Sequence, residues 1–201
     1  MMKKVSLRKR QAAVTHKRIY DVALSLFAKK GYENVTVDAI CSRSHVSKGA
    51  FYSHFKSKHA VAIEQFVKTD LDLNNILVKR IESIERTEDK LFIYIVSTFE
   101  YVNKGGSANK KVMFQIQLAS DKSSKVVPEK STLYTVLKSV ITSAMEKGEV
   151  RHDKSVDEIT LAFLRMYQGL VFEWCLANGS YDLVEEGKRM FAFMWDGIRQ
   201  R

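Results

Sequence analysis

The chain has 201 residues, of which 45% are hydrophobic, and it contains only one proline and nine glycines. That length allows one or two domains with a sizeable core, and so few helix breakers disfavour an all-β fold, which needs many more turns. The net charge of +10 resides in residues 1–60, where 13 lysine and arginine residues outnumber three acidic ones. Such an asymmetry is typical of a nucleic-acid-binding segment joined to a neutral domain.

The sequence lacks the signals of several other protein classes. No apolar run approaches the ~18 residues of a membrane span, and the basic start leads into no apolar leader segment. Cys41 and Cys175 lie far apart, which predicts two reduced thiols in a cytoplasmic chain. The motifs of catalytic serine, zinc-protease and nucleotide-binding sites are missing, and no histidine stands at metal-ligand spacing with a cysteine. We therefore expect no catalytic residue, no metal site and no cofactor.

Residues 1–13 come first in the chain, and we expect them to form a mobile basic arm. From about Val14, apolar residues recur at the spacing of an amphipathic helix. They are Ile19, Val22, Ala23, Leu26 and Phe27. Lys29 and Lys30 followed by Gly31 are typical of a helix C-terminus, because cations favour the negative end of the helix dipole and glycine adopts the left-handed cap.

Two short helices follow, each with its own N-terminal cap. Thr36 can cap the first and Ser47 the second, since each side chain can accept a hydrogen bond from a free backbone N–H group. Between them, residues 43–45 leave room only for a tight turn. Two capped helices joined by such a turn make a helix-turn-helix, which with the preceding helix we assign to residues 14–60.

The second helix of a helix-turn-helix enters the major groove, and its first residues meet the base edges. Gly49 and Ala50 are small enough for close approach, and Lys48 is the long donor that can reach a guanine or a phosphate. The helix caps, the outer flank of the second helix and the start of the next helix are expected to contact phosphates. The predicted DNA-contacting residues are Thr36, Ser47, Lys48, Gly49, Ala50, Tyr52, His54 and Lys58.

These segments also resemble a known family. The stretches ALSLFAKKGYENVTVDAI and VSKGAFYSHFKSK are similar to the N-terminal DNA-binding domain of the TetR family of bacterial regulators, over about a quarter of the chain. The resemblance implies an all-helical homodimer with one DNA-binding domain in each subunit and a ligand-responsive C-terminal domain. The turn position that often carries glycine in this family is His45 here, and histidine tolerates a left-handed backbone better than most residues.

Beyond residue 60 the apolar pattern predicts helices throughout, which gives an all-α chain with about nine helices. A shorter helical segment is expected at 112–119, then a polar loop at 120–128, and two strong helices at 159–177 and 183–198. Residues 61–201 are accordingly assigned to a ligand-binding and dimerisation domain, the role that the resemblance implies.

The resemblance also implies that the last two helices pair with their counterparts in a second subunit, and that the domain holds a small-molecule pocket. The large apolar content of those two helices fits such an interface, although a monomeric core would use the same residues. The pocket candidates are Phe99, Phe114, Gln117, Tyr134, Met166, Tyr167 and Glu173. Core packing is the alternative for each of them, and for Glu173 so is a pair across the dimer or a solvated edge.

The function expected from these features is that of a ligand-responsive, sequence-specific transcriptional regulator. It would act as a homodimeric repressor that a small-molecule effector releases from a palindromic, double-stranded operator, and it would not be an enzyme or bind a membrane. Two alternatives remain: a helical enzyme, or a nonspecific DNA-binding protein with a basic N-terminal segment. A nonspecific binder would explain the charge, but not the long neutral helical domain.

Overall fold

The computed structural model describes residues 7–119 and 131–200 of the chain. The described residues form nine α-helices, which confirms the predicted all-α fold, and their only strand-like pairing is one antiparallel bridge between Val150 and Arg199. None of these helices is long and apolar enough to cross a membrane. The helices are α1 (Leu7–Lys30), α2 (Val37–Ser44), α3 (Lys48–His54), α4 (Lys58–Ile81), α5 (Thr87–Gly105), α6 (Ser107–Ala119), α7 (Thr132–Glu146), α8 (Val156–Leu176) and α9 (Leu183–Ile198).

Helix α1 begins earlier than its apolar stripe predicts. Its first residue is Leu7, so that residues 7–13, expected to belong to a mobile arm, are helical. The physical reason is that this stretch contains arginine, lysine, glutamine and alanine, all strong helix formers, and no breaker. Residues 1–6 of the expected arm and the loop expected at 120–128 lie outside the described residues.

Side-chain caps explain where most of the later helices begin. The strongest is a capping box at α8, in which the Ser155 hydroxyl accepts from the Glu158 backbone N–H at 3.2 Å and the Glu158 carboxylate accepts from the Ser155 N–H at 2.8 Å. Asp182 caps α9 by accepting from two backbone N–H groups. These caps satisfy donors that the helix itself leaves unpaired.

The chain divides into two compact units, each with its own core. The N-terminal unit consists of the described residues up to Val67 together with Val112–Ala119, the second half of α6. Its core is built around the fully buried Phe27 and Phe51 and also includes Val112 and Ile116. The compact unit thus extends beyond the residues 14–60 assigned from the sequence and includes a segment that is remote in the chain.

The C-terminal unit consists of Lys68–Lys111 and residues 131–200. Helix α5 packs on α9 and α7, and α8 packs on both α7 and α9. At the α5–α9 contact Gly187 lies against the ring of Phe99, which is fully buried and also contacts Tyr167 at 5.4 Å between ring centroids. At the start of α7, Asp70 of α4 accepts hydrogen bonds from the backbone N–H and the hydroxyl of Thr132.

Candidate nucleic-acid interface

The turn between α2 and α3 has the geometry that the helix-turn-helix prediction requires. The Thr36 hydroxyl accepts from the Ala39 N–H at 3.2 Å, and the Ser47 hydroxyl accepts from the Ala50 N–H at 3.1 Å. His45 is left-handed, with φ 52° and ψ 49°, as expected for the turn position. Both predicted caps and the predicted turn conformation are therefore present.

Helix α3 has one buried face and one exposed face. Phe51 is fully buried, and Phe55, which ends the helix, is nearly so. On the other side Tyr52 is 55% exposed, and Lys48 and Gly49 are also exposed, so the first turn of α3 is open to a partner. Lys48, Gly49 and Tyr52 thus lie on the accessible side of the helix, whereas Ala50 and His54 are partly buried.

Gly49 has no role in the packing of the N-terminal unit. A Cβ added there would meet only the Ser47 hydroxyl, at 3.9 Å, which is an ordinary contact. Because glycine costs about 1 kcal/mol relative to alanine inside a helix, the fold alone would favour alanine at this position. The small residue is explained when a second molecule approaches the start of α3 closely.

Lys48 is exposed and forms an ion pair with Asp38 of α2, with 2.7 Å between the ammonium and the carboxylate. This hydrogen bond raises the pKa of the Lys48 ammonium, so that the side chain is a cation at any physiological pH. An exposed pair of this kind contributes little to stability and is readily exchanged for another anion. Lys48 is accordingly available to a base edge or a phosphate.

Lys58, predicted to contact a phosphate, bonds to the protein backbone in this structure. Its ammonium donates to the backbone carbonyls of Tyr32, Glu33 and Val35 at 3.0, 3.2 and 3.0 Å, and it lies 4.5 Å from the centre of the Tyr32 ring. A lysine ammonium has three donors, and all three are used here. The side chain therefore joins the α1–α2 connection to the start of α4, and a phosphate contact of Lys58 remains a prediction.

His54, the last residue of α3, lies beside α1. Its ring is 5.8 Å from that of His16, which stacks on Phe55 at 4.4 Å and places its Nε2 atom 3.1 Å from a carboxylate oxygen of Glu64. This arrangement joins the end of α3 to α1 and α4. A contact between His54 and DNA remains a prediction.

Two exposed cations near the helix-turn-helix are absent from the predicted contacts. Arg43 lies in the last turn of α2, and Lys56 follows α3. The sequence signal that would have identified them is their position immediately beside the two helices of the motif. Both are candidates for phosphate contacts because backbone contacts are commonly made by arginine and lysine around the reading helix.

The predicted ligand residues are divided between the two units. Phe114 and Gln117 belong to the N-terminal unit, and the other five belong to the C-terminal unit. Phe99 and Tyr167 are core residues, and Glu173 is exposed. Met166 is partly buried, and Tyr134 donates from its hydroxyl to Asp157 at 2.6 Å. Their role in ligand binding remains a prediction.

A surface cavity of about 670 Å³ lies elsewhere in the C-terminal unit, beside the bridge between Val150 and Arg199. Its charged groups already pair with one another, Arg151 with Asp153 and Arg199 with Asp196. None of the predicted ligand residues lines it. Among the residues described, no group of three or more histidine, cysteine, aspartate or glutamate side chains is arranged to hold a metal ion.

Comparison with known proteins agrees with the geometry of the N-terminal unit. Residues 19–64 match the sequence profile described as bacterial regulatory proteins, tetR family. The biofilm operon icaADBC HTH-type negative transcriptional regulator IcaR of Staphylococcus aureus (strain Newman) is 35% identical over 86 residues, which cover 42% of this chain and 44% of that protein. The match to this curated relative thus spans less than half of its length.

Solved structures extend the similarity of fold to nearly the whole chain. The fatty acid degradation regulator FadR from Bacillus halodurans superposes with a TM-score of 0.72 at 20% identity, covering 92% of this chain and 100% of that one. FadR from Bacillus subtilis, in complex with stearoyl-CoA, gives a TM-score of 0.72 at 18% identity, covering 91% and 99%. Residues 19–64 thus match the tetR family of bacterial regulatory proteins, and the solved structures show that the fold is shared over nearly the whole chain.

Proposed function

We propose that the protein is a sequence-specific transcriptional regulator of the bacterial cytoplasm that binds a palindromic operator as a homodimer and is released from it by a small-molecule effector. It acts as a repressor, and no catalytic activity is assigned to it. The S. aureus relative is named as a negative regulator, which supports repression. The B. subtilis structure contains stearoyl-CoA, which supports control by a ligand.

The observation that carries the proposal is the accessible first turn of α3. Ser47 caps the helix, Lys48 supplies a cation, and Gly49 leaves space that no residue in the described part of the chain fills. In a helix-turn-helix this turn meets the base edges in the major groove, where lysine recognises guanine. Tyr52, exposed on the same helix, is placed to donate its hydroxyl to a phosphate.

Dimerisation through α8 and α9 is supported by the apolar side chains that these helices expose. Phe193 of α9 is 76% exposed and Leu176 of α8 is 65% exposed. A two-fold interface would remove such surface from water. The dimer must then present its two α3 helices to half-sites about 34–36 Å apart, or a multiple of that, on one side of the DNA.

Release by an effector follows from this spacing requirement. In one conformer of the dimer the two α3 helices fit the half-sites, and in another their separation differs. An effector that binds the second conformer more tightly lowers operator affinity by up to the ratio of its affinities for the two conformers. No change within α3 is needed for such control. The chemistry of the effector has to come from a binding screen, because the predicted ligand residues do not identify it.

The experiment that tests this function is fluorescence anisotropy of the full chain with DNA from immediately upstream of its own gene. A scrambled duplex of equal length serves as the control, and both are titrated at two salt concentrations. A sequence-specific regulator binds the upstream DNA about a thousandfold or more tightly than the scramble, and this ratio persists at the higher salt. Equal binding to both duplexes would favour the nonspecific alternative.

Lys48→Ala sharpens the same experiment. We expect it to weaken operator binding by about 1–3 kcal/mol and to relax the base preference at one position. Lys188→Ala is the matched control. Lys188 lies in the C-terminal unit and forms an ion pair with Glu185, so its replacement also removes one positive charge from an ion-paired lysine. An unchanged base preference in Lys48→Ala would show that this lysine does not read the sequence.

A further inference from the structure

The helix-turn-helix carries an acidic residue on the surface that is proposed to meet DNA. Residues 34–63 of the sequence include four lysine and arginine residues, and Asp38 is their only acid. It lies in the first turn of α2, and its side chain is 65% exposed. Because DNA is a polyanion, an exposed carboxylate near the reading helix opposes binding. The proposed function so far gives this residue no role.

The stability of α2 explains the carboxylate only in part. An acid near a helix N-terminus interacts favourably with the helix dipole. However, Thr36 already caps α2, since its hydroxyl accepts from the Ala39 N–H at 3.2 Å. The dipole also does not require that the acid lie on the side of the helix that meets α3. The direction in which the Asp38 side chain extends therefore needs a separate explanation.

Asp38 extends across the turn to the first residue of α3. Its Oδ1 atom lies 2.7 Å from the Lys48 ammonium, and both side chains are open to solvent. The pair thus joins the start of α2 to the start of α3, the turn that is proposed to meet the base edges. Asp38 is therefore placed to control where the Lys48 ammonium lies before DNA arrives.

The number of donors on Lys48 allows it to keep this partner while it reads a base. A lysine ammonium has three hydrogen-bond donors, and the carboxylate of Asp38 takes one of them. The two that remain match the O6 and N7 acceptors that guanine presents in the major groove. Lys48 can therefore bind guanine without leaving Asp38.

A phosphate contact of Lys48 is affected differently by the same pair. Lysine binds a phosphate mainly because its charge displaces a condensed counterion from the DNA. The neighbouring carboxylate already balances that charge, so the attraction of Lys48 to a phosphate is weaker than that of a free lysine. If Lys48 moves to a phosphate, Asp38 is also left unpaired beside the DNA. The pair thus disfavours the contact that carries no sequence information.

We infer that Asp38 is a specificity-determining residue that acts through Lys48: it holds the ammonium where it can read guanine and weakens its attraction to the phosphates of other sequences. The inference rests on the proposed function, in which Lys48 meets the base edges. Asp38 is a positioning residue and needs no contact of its own with DNA. Its effect is to lower the affinity for DNA in general and so to raise the ratio between operator and nonspecific binding.

The test measures binding of the full chain to its operator and to a scrambled duplex of equal length, over a series of salt concentrations. The operator is the upstream segment that the wild-type chain protects from nuclease digestion. Asp38→Asn keeps the shape of the side chain and removes its charge. Asp21→Asn is the matched control, because Asp21 is an exposed acid of the same unit that is paired with Lys17 of α1. It also removes one negative charge and releases one lysine.

On the scrambled duplex we expect Asp38→Asn to bind more tightly than the wild type, by up to about fivefold per subunit, which corresponds to about 1 kcal/mol for an exposed ion pair. The slope of log affinity against log salt should become steeper by about 0.9 per subunit, as Lys48 gains a phosphate. Operator affinity should rise less, so the specificity ratio falls. Asp21→Asn should change both affinities alike and leave the ratio as in the wild type.

A second comparison tests whether Asp38 acts through Lys48. In the Lys48→Ala background, Asp38→Asn should change the affinity for scrambled DNA no more than Asp21→Asn does, because the lysine that it would release is absent. If the full increase persisted in this background, the carboxylate would repel DNA directly, and the inference would be wrong.

An unchanged specificity ratio in Asp38→Asn would also overturn the inference, since the carboxylate would then serve only the stability of α2. Failure of the proposed function has a different signature. In that case the wild-type chain itself would bind the operator and the scrambled duplex equally, and no variant would be needed to show it.

Discussion

Gly49 in the first turn of α3 and Gly187 in the middle of α9 are both helical glycines, and their surroundings differ. A Cβ at Gly187 would lie well inside van der Waals distance of two ring atoms of Phe99, and 3.1 Å from a third. A Cβ at Gly49 would meet open space apart from one hydroxyl. The packing of the C-terminal unit explains the first glycine, whereas nothing inside the N-terminal unit explains the second.

This difference separates positions that serve folding from positions that serve a partner. The C-terminal unit has a capping box at α8 and acidic residues in the first turns of α8 and α9, but its helical Gly169 and Gly197 also have open space for a Cβ. Open space alone therefore does not mark a glycine as a contact residue. Gly49 differs from these two because it lies in the exposed first turn of α3, where DNA is proposed to bind.

The largest expected effect is that of Gly187→Ala. The ring of Phe99 is buried and also contacts Tyr167, so it cannot move without repacking the contact between α5 and α9. Overpacking of this kind typically costs about 1–3 kcal/mol, and urea unfolding monitored by circular dichroism would measure it. Gly197→Ala in the same helix, where a Cβ has open space, is the control and should be neutral or stabilising.

Gly49→Ala is expected to separate stability from binding. Because the added methyl group has room and improves helix propensity, the variant should be more stable by about 0.5–1 kcal/mol. Operator affinity should fall about tenfold, the equivalent of about 1.4 kcal/mol, as the methyl group meets the bases. Denaturation and anisotropy on the same preparation would measure both, and unchanged affinity would remove the functional explanation of this glycine.

The smallest effect concerns acid sensitivity of the C-terminal unit. The Lys138 ammonium and then the Tyr134 hydroxyl lower the pKa of the Asp157 carboxylate. A carboxylate whose pKa is lower in the folded than in the unfolded state stabilises the folded protein at pH values above its unfolded pKa, which is about 3.9 for aspartate. This stabilisation is lost as the pH falls through the folded-state pKa.

Asp157→Asn should therefore be slightly less stable than the wild type at pH 7, and the difference should shrink at pH values below about 4. The effect is small because the Lys138 and Asp157 side chains are both exposed. Urea titrations at pH 7 and pH 3 would measure it. A difference that stays constant with pH would mean that the asparagine acts through altered packing and not through the missing charge.

The parts of the fold that depend on local signals were predictable from the sequence. Thr36, Ser47 and His45 act through their immediate neighbours in the chain, and their roles followed from residue type and spacing. The exposed face of α3 was also predictable, because Phe51 and Phe55 define the opposite side. The helical conformation of residues 7–13 at the start of α1 was not predictable, because an apolar stripe indicates only the part of a helix that packs against a core.

Contacts between residues distant in the chain were beyond the reach of sequence patterns. The backbone bonds of Lys58 could not be predicted, because its three acceptors lie 23–26 residues earlier in the chain. The contact between Phe99 and Gly187 joins helices that are even further apart. The resemblance to a known family implied a ligand pocket but did not indicate which residues of this chain line it. The contacts of the candidate residues also depend on packing between helices that are distant in the chain.

The second half of α6 has a practical consequence for exchanging modules between regulators. Val112 and Ile116 belong to the same core as Phe27 and Phe51, and the Gln115 side chain accepts from the Tyr32 N–H at 3.2 Å. A graft of the first 67 residues onto a protein of similar fold would therefore carry only part of this core. Chimaeras that also transplant residues 112–119 should keep their melting cooperative.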